Sequence, residues 1–341
     1  MKIFKIILIS IFTLFFTFLF SIILFLSLIS RSIGQQPSYL IETIYSSIKS
    51  NPYKSMDKIN FLILGLDKRD DVLEKTVTTD TIIFASFNLK TFKLNLISTP
   101  RDLWFYEKET KINGLYPISL ETNNSFDFLK QNFEILYGQK INHILVITTD
   151  NLIKFVDIIG GVDLNLEKGF IDNQYPNPEY IKNPSSNIPI YKTISFSSGQ
   201  IHLDKTNVTE FVRSRKSSET AADGGTDIGR IKRQQLLIEA ILAKIKSGDF
   251  VKNKSQLNDL YSFWSRDITK TISNLDAIQI GLALNKNIDL ISINKIDIPV
   301  GQNAKTGIIY HPNKFINKQW VFITNDDKYK DFQKFISESI K

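Results

Sequence analysis

The sequence predicts an α/β domain with a mixed central β-sheet flanked by helices, preceded by one N-terminal transmembrane helix. Three observations carry this expectation. The chain opens on one long apolar run, short apolar runs then alternate with helix-periodic ones, and no Pro/Gly/Ser-rich break divides the remainder.

The run from Ile3 to Ile29 contains Lys5 as its single charge. It is long enough to cross a hydrocarbon layer of about 30 Å as a helix. A cleavable leader has an apolar stretch of about 7–15 residues and a small-residue cleavage site, and this run passes Phe20 and Leu28 without one, so it reads as a retained signal-anchor. Lys2 and Lys5 precede the 6–30 anchor and Arg31 follows it, which places residues 1–5 in the cytoplasm and everything beyond the anchor outside. The expected localisation is the cell membrane, single-pass, with the N-terminus cytoplasmic and the domain extracytoplasmic. Residues 31–57 read as a linker with a short helix on Leu40, Ile41, Ile44 and Ile48.

Asn60–Leu66 is a short apolar run stopped by glycine and reads as a buried strand, followed by strands over Asp80–Asn88 and Phe92–Ser98 joined in a hairpin. Phe126, Leu129, Phe133 and Leu136 recur at helical spacing over Ser125–Tyr137, with Gly138 as the stop. His143–Thr149 is a further strand, Asp150 is placed to cap a helix that ends at Gly160-Gly161, and Val162–Leu166 is extended again. Asp172–Thr193, with four prolines, and Lys216–Thr226 read as mobile loops. A helix spans Asp227 to about Lys246, and the tail offers helices near 255–263 and 273–285, strands near 288–298 and 319–324, and a terminal helix. The main domain is assigned to 58–250, with 251–341 a C-terminal part packed on the same domain.

There is no cysteine, which removes disulfides, thiol nucleophiles and Cys-ligated metals. With 43% apolar residues the chain has ample core, and the formal charge of +7 suits an acidic partner. Nucleic acid fits that charge but not an external domain, so no nucleic-acid partner is expected. His143, His202 and His311 lack metal-ligand spacing, and their expected roles are structural.

Lysine supplies most of the positive charge; of the eight arginines, four lie at 213, 215, 230 and 233. A guanidinium grips phosphate bidentately in a way the point charge of lysine does not. The cluster therefore points to a phosphate-rich ligand, with surface ion pairs as the plain alternative. Arg213 and Arg215 share a face if their segment is extended, with Phe211 beside them. On the next helix Ile231, Ile238, Ile241, Leu242 and Ile245 mark a buried stripe, with Arg230 and Gln234 at its margin and Arg233 further out. Asp227 is either an N-cap worth about 1 kcal/mol or an orienting carboxylate. Asp67 and Asp80 sit at strand ends, where Mg²⁺ is held beside phosphates; turn residues are the alternative, and Mn²⁺ would accept the same oxygens. Arg101 and Asp102 close the third strand.

The segments FLILGLDKR, TTDTIIFASFNLKTFKLNLISTPRDLW, KINGLY, DNLIKFVDIIGGVDLNL, SGQIHLDKTNVTEFVRSR and TDIGRIKRQQ occur in that order, and together they resemble the LytR-CpsA-Psr (LCP) family of bacterial cell-wall phosphotransferases. The resemblance covers about residues 60–245 and makes 58–250 the catalytic domain. It implies a deep apolar groove for a polyprenyl chain and a mouth where arginines hold its pyrophosphate with Mg²⁺. The implied reaction transfers a glycan phosphate from a polyprenyl (undecaprenyl) pyrophosphate carrier to peptidoglycan, so the implied partners are the lipid-linked glycan donor, the peptidoglycan acceptor and membrane lipid. Asp67 and Asp80 match the metal-associated carboxylates, and Arg101, Arg213, Arg215, Arg230 and Gln234 the phosphate-binding set. Catalysis is assigned to Asp67, Asp80, Arg101 and Arg213, with Arg69 and Arg233 as further phosphate contacts and Asp102 and Asp227 in support. Similar proteins usually carry arginine where this chain has Thr78, and Lys75 is the nearest substitute. A pyrophosphatase and a non-catalytic carrier-binding protein remain open beside the transferase.

Overall fold

The computed structural model describes residues 51–66, 77–185, 187–216, 227–249, 251–284 and 287–341, with scattered residues of 36–49. The strands that matter here are β1 (Lys58–Leu66), β2 (Thr79–Asn88), β3 (Lys93–Ser98), β4 (His143–Thr148), β5 (Val162–Leu166), β6 (Phe170–Pro176), β7 (Tyr191–Phe196), β8 (Gly199–Leu203), β9 (Thr269–Lys270) and β10 (Ser292–Ile296). The helices that matter here are α1 (Ser125–Tyr137), α2 (Thr149–Ile158), α3 (Pro178–Lys182), α4 (Val208–Arg213), α5 (Asp227–Ser247) and α6 (Lys330–Ser339).

Six strands form the central sheet in the order β9-β4-β1-β2-β3-β10. The β1–β2 and β2–β3 pairs are antiparallel, whereas β4 on β1 and β10 on β3 are parallel, so the sheet is mixed as expected. Alternation of side chains assigns its faces. Leu62, Leu64, Ile82, Phe84 and Ile97 pack against Leu129, Phe133 and Leu136 of α1 and Phe332 and Ile336 of α6. Ile83, Ala85 and Leu96 point the other way and meet Ile63, Leu94, Ile238 of α5 and Ile293. A second core gathers Val156, Leu164, Phe170, Phe196, Phe211 and Leu237 beneath the β6–β7 hairpin.

The α1 helix has the bounds the periodicity predicts, and its C-cap Gly138 adopts φ +63°, a conformation that glycine takes without a Cβ clash. The α2 helix is capped by Thr148 rather than Asp150: the Thr148 hydroxyl accepts from Asn151 N–H, and the Asn151 side chain accepts from Thr148 N–H. Asp172–Thr193 is not a loop. Phe170–Pro176 and Tyr191–Phe196 pair antiparallel, with α3 between them.

The expected membrane anchor is corrected here. Among the described residues no helix is long and apolar enough to cross a membrane, and the longest, α5, is broken by Arg230, Lys232, Arg233, Glu239, Lys244 and Lys246. Residues 6–30, on which the span, the signal-anchor and the single-pass topology were placed, lie outside the described residues. Among the described residues the fold class is the mixed α/β domain.

Candidate functional site

A cavity of about 410 Å³ opens between the second face of the sheet, the start of α2, the β6–β7 hairpin and the α4–α5 segment. Its depth is aliphatic, with Ile63, Ile83, Ile147, Leu152, Leu237 and Ile238, and its mouth carries Asp80, Arg213, Arg215, Arg230 and Gln234.

A β-bulge sets the mouth. Gly65 pairs with Thr81 and Leu66 with Thr79, so Asp80 is the extra residue of β2 and its side chain leaves the normal alternation. Gly65 is required for this approach, because a Cβ there would stand 2.7 Å from the Thr81 Cβ. The Asp80 carboxylate accepts from Arg101 Nη1 on one oxygen and from Arg215 Nη2, at 2.6 Å, on the other. Arg230 Nη2 donates to the Asp80 carbonyl oxygen at 3.1 Å, and its Nη1 lies 4.0 Å from the carboxylate. Burial alone would push the Asp80 pKa up; Arg215, Arg101 and Arg230 outweigh it and hold the group below the usual carboxylate range. Gln234 Nε2 donates to Thr81 Oγ1 at 2.8 Å, which fixes its amide beside the bulge.

Arg213 ends the six-residue helix α4, so Arg213 and Arg215 do not share the face of an extended segment. Phe211 is instead wholly buried against Phe170 and Phe196. Arg215 is placed by its backbone. Asp172 accepts from Arg215 N–H and Lys216 N–H, each at 3.1 Å, and from Ser214 Oγ at 2.7 Å. Burial raises the Asp172 pKa, but these bonds outweigh it and leave the group lowered and ionised.

Arg233 does not lie out on the helix surface: it is 5% exposed, buried as Arg230 is. Its Nε donates to the Phe211 carbonyl at 2.9 Å, its Nη2 donates to the Ser214 carbonyl, and its guanidinium lies 4.5 Å over the Phe170 ring. Burial pushes its pKa down to about 10. Arg233 is thus a strut under the Arg213–Arg215 segment. Asp102 supports the mouth from behind, accepting from Lys111 Nζ at 2.7 Å with Arg101 Nε at 3.6 Å.

The structure therefore brings Asp80, Arg101, Arg213, Arg215, Arg230 and Gln234 to one cleft. Asp67, Arg69 and Lys75 lie outside the described residues, as does the side chain of Asp227. Sequence reasoning missed Asp172 and Thr81. The signal for Asp172 was its inward position two residues after Phe170, obscured by the register shift before Tyr175 and by the prolines that follow.

The site expected for a divalent metal is only partly described. Among the described residues no group of three or more His, Cys, Asp or Glu can hold one. Of the expected Mg²⁺ or Mn²⁺ ligands only Asp80 is placed, and both of its oxygens are engaged by guanidinium groups. The three histidines hydrogen-bond elsewhere, His143 to the Tyr53 hydroxyl, His202 to Asp163 and His311 to the Val321 carbonyl.

The sequence model of the LytR_cpsA_psr family matches residues 30–336. The chain belongs to that family. Among curated LytR-CpsA-Psr relatives, a polyisoprenyl-teichoic acid–peptidoglycan teichoic acid transferase TagU of Oceanobacillus iheyensis is 28% identical over 212 residues, covering 61% of this chain and 58% of its own length. The chain thus spans little more than half of that relative. Two solved LytR-CpsA-Psr structures share the fold: Bacillus subtilis TagV, with TM-score 0.57 and 16% identity over 83% of this chain and 97% of that one, and TagT bound to LIIa-WTA, with TM-score 0.56 and 17% identity over 84% and 92%.

Proposed function

We propose that the chain is a phosphotransferase that moves a glycan phosphate from a polyprenyl pyrophosphate carrier to peptidoglycan. One observation carries the reading: an aliphatic cavity whose mouth is lined by Arg213, Arg215 and Arg230, with Arg101 bonded to the same carboxylate. An aliphatic depth takes an apolar chain, and convergent guanidinium groups take the pyrophosphate at its head. The name of the TagU relative supports the same class of reaction.

Phosphoryl transfer asks mainly for positioning and for charge stabilisation at the transferring group. The guanidinium groups of Arg101, Arg213, Arg215 and Arg230 supply both. In the step proposed, an acceptor hydroxyl oxygen forms the new bond to the glycan-bearing phosphorus. The bridging P–O bond breaks, and the departing prenyl phosphate takes the electron pair and the proton. Asp80 is held ionised by its arginines, which makes it a weak base and an organiser of the cation cluster. No step is routed through a metal.

The test mixes the full chain with a radiolabelled polyprenyl-pyrophosphate disaccharide and peptidoglycan fragments, beside Arg101→Ala and Arg215→Ala. Label on peptidoglycan, lost in both variants, supports the transferase. Free glycan phosphate as the sole product would make the chain a pyrophosphatase. Lipid binding without turnover across several donors would make it a carrier-binding protein.

A further inference from the structure

A second hollow of about 440 Å³ lies against the arginine cleft, and Thr149 and Tyr175 line both. Its character is different. Among the described residues no arginine lines it, and its walls carry Asp150, Lys182, Lys192, Thr206, Thr209 and Glu210, charges of both signs with hydroxyls between them. Lys192 is ion-paired to Glu210, and its ammonium stands 5.8 Å over the Tyr175 ring. Such a surface concentrates no net field for a phosphate. It offers donors and acceptors in a concavity of small-ligand size, which suits a neutral ligand rich in hydroxyl and amide groups.

We infer that this hollow binds the acceptor, a phosphate-free saccharide that presents its hydroxyl across the Thr149–Tyr175 wall to the phosphate held by the arginines. The inference rests on the phosphotransferase reading and names the second substrate's site within it. The donor's own glycan shares the same chemistry. The acceptor is favoured because a donor sugar is tethered to a pyrophosphate already gripped, whereas an untethered acceptor depends on a site of its own to be positioned.

The experiment titrates the full chain with soluble disaccharide-peptide fragments of peptidoglycan, by calorimetry and without donor, and separately with the polyprenyl-pyrophosphate glycan. Thr209→Trp fills the hollow, and Lys182→Glu alters its charge from the exposed helix α3, where folding is least at risk. The expected result is fragment binding by the parent chain that weakens about tenfold or more in both variants, is retained in Arg213→Ala, and leaves donor affinity unmoved. Fragment binding untouched by both variants, or donor binding with no fragment binding at all, overturns the inference alone. Donor affinity falling in the hollow variants assigns the hollow to the donor's glycan and also overturns it. A chain that binds fragments but no lipid pyrophosphate sinks the phosphotransferase reading and leaves a saccharide site standing.

Discussion

Asp172 holds the hydroxyl of Ser214 at 2.7 Å, and through it the segment that carries Arg215 to Asp80 is pinned to strand β6. Both residues are almost wholly buried. Asp172→Ala strands the hydroxyl and the N–H groups of Gln174, Arg215 and Lys216 without an acceptor, and is expected to cost about 3 kcal/mol and to weaken ligand binding by misplacing Arg215. The sign with pH follows from the lowered folded-state pKa of Asp172. Its contribution is present above the ordinary carboxylate range near pH 4 and is lost as pH falls through the folded value. Urea denaturation at a series of pH values should show the parent losing its advantage over Asp172→Asn on acidification; a constant gap would refute this.

Arg213 lines the cleft mouth at the end of α4. Arg213→Ala should weaken affinity for a polyprenyl pyrophosphate about 100-fold, equivalent to about 2.7 kcal/mol for contacts to a charged group. Arg213→Lys should restore only part of it, because an ammonium does not reproduce the fork. Full recovery with lysine, in the same titration, would mean that charge alone is read.

Arg233 acts differently. Arg233→Met removes the donors that hold the Phe211 and Ser214 carbonyls. Thermal unfolding should reveal a loss of about 2–4 kcal/mol, whereas Arg213→Ala unfolds close to the parent. Equal stability of the two variants would show that Arg233 is no strut.

Gly65→Ala forces a methyl group to within 2.7 Å of the Thr81 Cβ, across the β1–β2 pair. Strand backbones cannot part without breaking their ladder, so a cost of about 1–3 kcal/mol is expected. The amide of Gln234 should also lose its anchor on Thr81, and a crystal structure of the variant would show whether it moves.

Because guanidinium groups already neutralise the mouth, chelation of divalent cations should lower lipid-pyrophosphate affinity by less than about tenfold, well short of the Arg213→Ala effect. Titration in the presence and absence of a chelator checks it. A collapse of binding on chelation would show that the arginines alone do not hold the ligand.

Elements with strong periodicity were legible in the sequence: α1 runs over its predicted residues, and β1 to β5 lie within a residue or two of expectation. The scarcity of arginine was enough to find Arg213, Arg215 and Arg230. What escaped depended on partners distant in the chain. The β6–β7 hairpin hides behind prolines, and its Phe170 is what buries Arg233. A helix of six residues is too short to show a period, so the sequence of α4 suits an extended segment equally well and does not reveal the neighbours of Arg213. The bulge at Asp80 is a property of register between two strands, which composition does not encode.

The pairing of β10 with β3 joins Lys93–Ser98 to Ser292–Ile296, nearly 200 positions downstream. During synthesis, then, β3 stands as an open sheet edge until the chain past Ile296 has left the ribosome. A nascent chain halted before that point presents unpaired backbone groups flanked by Leu94 and Leu96, a template for association with other chains. Closure of so long a loop is also slow, so acquisition of this edge is the step at which folding of the sheet and its escape from aggregation are decided together.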